Sequence, residues 1–191
     1  ALKSSSAPKA PGWWSARSRW GWGRTSRWVS ARCPDTINEG NVYTQISTNA
    51  AGGAVIRLKS NALDCGGLLR AGAPGACDIL PALDGGIDPA SNQALFGVRT
   101  SAATPTAGFD NANGTLQPVD TSMYNNSTYA LNYITGNATG VTSTYGDPFL
   151  DTNDAPVNNQ NMQLTFGVTV SNDTPAGSYS TDLSLIAVGK F

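Results

Sequence analysis

Histidine is absent from the 191-residue chain, and glutamate occurs once, at Glu39. Without imidazole the commonest general base and a common metal ligand are both missing. Ser and Thr are plentiful, but no histidine or suitably placed lysine can activate them as nucleophiles. Charged residues make up 13% of the chain, against roughly 25% in an ordinary globular protein. Three cysteines, at 33, 65 and 77, are too few for a zinc cluster. No apolar run approaches the roughly 20 residues of a membrane-spanning helix. No leader with a long apolar stretch is visible either, so the chain is expected to be cytosolic or already processed, and its composition favours the second. Helix-forming Glu, Lys, Leu and Ala never recur in periodic order, which leaves no candidate for a long helix.

Gly, Ser, Thr and Asn fill the place of the missing charge. That mixture suits strands and tight turns, because Thr packs on a pleated face and Asn and Gly supply turn geometry. Short β-type runs occur at VYTQIST (42–48), AVIRLKS (54–60), ALFGVRT (94–100), STYALNYI (127–134), MQLTFGVTV (162–170) and YSTDLSLIAVGKF (179–191). The first two are separated by NAAGG, which predicts a hairpin. The last two are joined by SNDTPAGS, where Pro175 and Gly177 mark a turn. In the last run, Tyr179, Leu183, Leu185 and Phe191 share one face, with Asp182, Ser184 and Lys190 opposite. Regularly spaced strands of this kind predict an all-β sandwich or barrel over residues 33–191, with 101–126 and 146–161 as long polar loops. No internal repeat and no coiled-coil seam is present.

Residues 1–32 form a second unit by composition. A Ser/Pro/Ala/Lys linker (1–12) precedes a stretch that holds every tryptophan: Trp13, Trp14, Trp20, Trp22 and Trp28. Read with period 2, Trp14, Trp20, Trp22 and Trp28 share a face and Arg17, Arg19 and Arg27 take the other. The arm carries seven basic residues and no acidic one; residues 33–191 carry five basic residues and all 13 acidic ones, a balance of −8. Such asymmetry suggests an arm that meets an acidic partner, the nearest being another copy of the same body. The predicted docking residues are Trp13, Trp14, Arg17, Arg19, Trp20, Trp22, Arg27 and Trp28, since Trp and Arg dominate interface energetics. An Arg/Trp/Ser/Gly-rich stretch also arises where a gene is read out of frame, an alternative that composition leaves open. Arg with Trp also suits nucleic acid or a membrane interface, but the acidic body opposes both surfaces.

Cys65 and Cys77 bracket a Gly-rich segment, CGGLLRAGAPGAC, and are the expected disulfide. Closing a loop of that length contributes about 3 kcal/mol in the chain-entropy model. Pairings that involve Cys33 stay open. The best acidic cluster, Asp147, Asp151, Asn153 and Asp154, offers oxygens of the kind calcium takes. Its spacing lacks a calcium-loop order, so a solvated turn is the expectation and no metal or cofactor is assigned. The turn Asp110-Asn111-Ala112-Asn113-Gly114 is read the same way. With one glutamate and no carboxylate marked as buried, a glycosidase-type pair is not expected either. Asn113, Asn125, Asn126, Asn137 and Asn172 head N-glycosylation sequons.

The C-terminal stretch MQLTFGVTVSNDTPAGSYSTDLSLIAVGKF (162–191) resembles the closing hairpin of small secreted bacterial surface domains. In those, a strand leads into an (S/N)-D-T-P-A-G-x-Y-S turn and a last strand ends at an aromatic. Surface proteins of candidate-phyla (Patescibacteria-type) bacteria resemble it most, and they also show a TNAxGG hairpin, here Thr48–Gly53, and a Cys-Gly-Gly loop, here Cys65–Gly67. A looser similarity runs to spore-coat-U and chaperone–usher pilin-like domains. The resemblance covers residues 33–191. It implies an Ig-like or pilin-like antiparallel β-sandwich exported to the cell surface, and no catalytic residue. The Trp/Arg arm departs from that pattern, in which an alternating Val/Ser/Thr strand precedes the first cysteine.

The expected function is therefore a non-enzymatic structural subunit of an extracellular filament, pilus or surface layer. Its partner would be itself, in a homo-polymer or surface lattice. The alternative is an adhesin-type module that recognises a glycan or a host protein surface through loops 101–126 and 146–161.

Overall fold

The computed structural model describes residues 2–3, 15–19, 36–60, 66–73, 77–82, 86–101, 114–119, 124–125, 127–131 and 146–191. Their strands are β1 (Leu2–Lys3), β2 (Ser15–Arg19), β3 (Asn38–Thr48), β4 (Ala54–Ser60), β5 (Leu68–Arg70) and β6 (Cys77–Pro81). After one short 3₁₀ turn at Pro89–Ser91 come β7 (Leu95–Ser101), β8 (Gln117–Pro118), β9 (Asp147–Asp151), β10 (Val157–Val168), β11 (Tyr179–Ser180) and β12 (Asp182–Gly189). The fold is all-β.

The strands form two sheets, of seven in the order β1-β3-β10-β7-β6-β5-β11 and of five in the order β2-β12-β4-β9-β8. Every pairing is antiparallel except β6 with β7, which makes the larger sheet mixed. Alternation assigns the inner faces. Ile46, Phe96, Val98, Met162 and Leu164 from one sheet meet Ile56, Leu58, Leu150, Leu183 and Leu185 from the other in a single buried cluster. Phe96 stacks on Phe166 at 5.9 Å, and Tyr124 meets Phe149 edge-on at 4.8 Å.

Two predicted hairpins prove to be crossings between sheets. β3 lies in the seven-stranded sheet and β4 in the five-stranded one, so NAAGG carries the chain over the core edge. Gly53 takes a left-handed conformation there (φ 73), and a Cβ on it would meet the Ala155 carbonyl oxygen at 2.7 Å. Ala50 tucks under the same turn, 3% exposed. The last run also divides: Tyr179 and Ser180 pair with β5, and at buried Thr181 the chain steps across to become β12. A period-2 pattern reads identically on either sheet, so alternation alone cannot reveal such a step.

Other expectations shift in detail. The loop expected at 146–161 contains β9 and the first half of β10, whose register slips at a bulge between Val157 and Gln160. The Gly-rich Cys segment holds β5, and β6 begins at its last residue, Cys77; the two strands pair antiparallel. Of the STYALNYI run, Ala130 bridges Val98, while 132–134 lie outside the described residues.

Candidate interaction edges and polar clusters

Two short N-terminal strands form one edge of each sheet, β1 beyond β3 in the larger and β2 beyond β12 in the smaller. β2 pairs antiparallel with β12 from Ser15 opposite Ile186 to Arg19 opposite Asp182. β1 sets Leu2 opposite Ile46 and Lys3 opposite Gln45 on β3. An edge strand presents unpaired N–H and C=O groups, and an added strand satisfies them whatever its side chains. Of the predicted docking residues, Arg17 falls opposite Ser184 and Arg19 opposite Asp182. Trp13, Trp14, Trp20, Trp22, Arg27 and Trp28 lie outside the described residues.

The acidic cluster is taken apart by the fold. Asp147 is buried in β9 and accepts a hydrogen bond from the Tyr124 hydroxyl at 3.1 Å. Asp151 caps its own turn, accepting from the Asn153 N–H at 2.6 Å, while Asn153 and Asp154 both sit at positive φ. Lys190 then bridges Asp151 at 2.7 Å and also reaches Asp154. Those two hydrogen bonds raise the Lys190 pKa, the one to Asp151 most. A cation is thus supplied from within the chain, and among the described residues no group of acids, cysteines or histidines is placed to hold a metal. Cys77 is disulfide-bonded; Cys65 and Cys33 lie outside the described residues. The same holds for the turn at 110–113 and for the sequons at Asn113, Asn126 and Asn137. Asn172 is exposed, whereas the Asn125 side-chain oxygen is occupied by the N–H groups of Ser127 and Thr128.

A cluster not anticipated from sequence lies on the outward face of the larger sheet. Gly97 and Gly167 are register partners, and Glu39 stands opposite Gly167 on its other side. With no side chains in the way, the Tyr129 ring lies over Gly167, where a Cβ would fall 2.5 Å from it, and the Tyr129–Ala130 backbone and Ala82 come against Gly97. Arg99, one row along, donates to the Tyr129 hydroxyl at 2.7 Å and lies 5.3 Å from the ring centroid. The same hydroxyl donates to Glu39, which also pairs with Arg99 at 3.4 Å. Burial, and then the bond to Glu39, raise the Tyr129 pKa above its ordinary value. An isolated glycine inside each of two strand patterns was the available signal for a close approach. Further along the face, the Thr165 hydroxyl donates to Asn41 at 2.8 Å, and Gln163 donates to Thr165 at 3.2 Å.

A further ion pair, Arg70 with Asp78 at 2.8 Å, joins β5 to β6, and the Tyr179 hydroxyl on β11 donates to the Pro175 carbonyl oxygen at 2.5 Å. These contacts fasten the short outer strands. Among known families, curated proteins and solved structures, none matches the chain.

Proposed function

We propose that the protein is a structural subunit of an extracellular filament, pilus or surface layer, assembled when residues 1–32 of one copy dock on a sheet edge of the next. The observation that carries this reading is the β2–β12 pairing: a basic N-terminal segment adds a strand to the edge of an acidic body. A strand that adds to its own sheet can add to the same edge of a neighbour, with every main-chain bond retained. Exchanged in one direction, the contact is head-to-tail and propagates.

The test keeps the chain at full length. Ala16→Pro with Ser18→Pro removes two N–H donors from β2 without touching the body. Negative-stain microscopy and sizing under non-reducing conditions should show filaments or sheets for the native chain and monomers for the variant. A monodisperse native monomer, or assembly unchanged in the variant, overturns the reading.

A further inference from the structure

A strand edge with open main-chain groups is where a sheet takes on another strand. One side of β3 is filled by β10 along its length, while β1 lies against the other side only at Gln45 and Ile46. Burial follows the same division: Thr44, Gln45 and Ile46 are buried, and none of Asn38 to Tyr43 is. Among the described residues no strand lies along the outer side of residues 38–44. We infer that this edge is the seat of the chain's own residues 4–10, which continue β1 as one antiparallel strand.

The phase of the ladder fixes which groups are open. Val98 exchanges both main-chain hydrogen bonds with Ala130, at 2.9 Å each, so it faces away from β10. Its β10 partner Phe166 therefore bonds on the other side, to Gly40, and Leu164 likewise bonds to Val42. Alternate residues of an antiparallel strand point to opposite sides. Glu39, Asn41 and Tyr43 thus turn their N–H and C=O groups to the open edge.

Continuing the register of Leu2 with Ile46 and Lys3 with Gln45 sets Ser5 opposite Tyr43, Ala7 opposite Asn41 and Lys9 opposite Glu39. Three features of the sequence fit that register. Pro8 falls opposite Gly40, whose main chain is committed to β10, so its missing N–H is not needed. Lys9 meets the chain's one glutamate, and opposite charges across a strand pair attract. Arg99 and the Tyr129 hydroxyl both engage Oε1 of Glu39, and the side chain is still 45% exposed. Pro11 and Gly12 then mark a turn before β2 begins at Ser15 on the other sheet. The seat does not rest on the assembly proposed above; exchange of segments between copies would keep the same pairs.

Residue-resolved hydrogen exchange on the full chain tests the inference, with sizing alongside to read assembly separately. The amides of Glu39, Asn41 and Tyr43 are expected to be slow in the native chain. Ser5→Pro removes an N–H that points at Tyr43 and should speed all three by about tenfold. Ser6→Pro, one residue on, removes an N–H that points away and should leave them slow. Lys9→Glu should speed the Glu39 amide most. Gly40 and Val42, bonded to β10, should stay slow throughout and report an intact sheet. Rapid exchange of the three edge amides in the native chain overturns the inference, and so does an equal effect of Ser5→Pro and Ser6→Pro. Filaments with fast edge amides overturn the seat alone. A native monomer whose edge amides are slow and depend on Ser5 supports the seat and overturns only the assembly.

Discussion

The two faces of the seven-stranded sheet are built from the same strands but held by different physics. Inward, β10 contributes Met162 and Leu164 to an apolar interior shared with the second sheet. Outward, the same strand contributes Asn161, Gln163, Thr165 and Gly167, and contacts there are hydrogen bonds, an ion pair and one aromatic ring over glycine. Leu164 and Thr165 are both fully buried, so burial alone does not distinguish the faces. The inward face takes its stability from apolar area removed from water, and that cannot be replaced by solvent when a side chain is cut back. The outward face exchanges hydrogen bonds with water for hydrogen bonds within the chain, a trade that nets little per bond. Stability is expected to reside mainly inward.

Leu164→Ala should break the comparison hardest on the inward side, lowering unfolding free energy by about 2–5 kcal/mol in a urea titration. Gly167→Ala is the largest effect expected outward. Its Cβ would meet Tyr129 ring carbons at 2.5 and 2.7 Å and Ile37 at 2.9 Å. A loss of about 1–3 kcal/mol follows from displacing them, with a changed near-ultraviolet tyrosine signal.

Alkali should act through the outward face as well. Tyr129 has a raised pKa, so the folded chain keeps a proton that the unfolded chain releases near the ordinary value of about 10. Its contribution is full below about pH 10 and is lost as pH climbs through the folded value. Tyr129→Phe should make the alkaline limb of a melting-temperature profile shallower, and Lys190 and Tyr179, also raised, should keep it from flattening. The smallest effect is expected for Gln45→Met, which removes an unpartnered buried donor at similar shape. Its melting temperature should hold or rise slightly, since no hydrogen bond is lost.

Much of this could be read in advance from particular residues. Alternation in 162–168 fixed which side chains of β10 face inward, and the low charge with abundant Thr, Asn and Gly fixed the all-β class. The polar cluster on the outward face could not be read so directly. Glu39, Arg99 and Tyr129 are separated by 60 and 30 residues, and only strand order brings them together. Gly97 and Gly167 carried a signal of close approach but not the identity of the ring that approaches. Likewise the acids at 147–154 looked like a cluster in sequence, until the bulge in β9 and the return of Lys190 separated and neutralised them.

By itself the sequence determined local conformation and facing, because strand periodicity and turn chemistry act over a few neighbouring residues. It also determined that no imidazole is available. Tertiary structure alone decided which sheet each strand joins, where the chain crosses at Gly53 and Thr181, and which polar side chains meet. A strand's two faces are set within the strand; its neighbours are chosen by long-range packing, on which a period of two is silent.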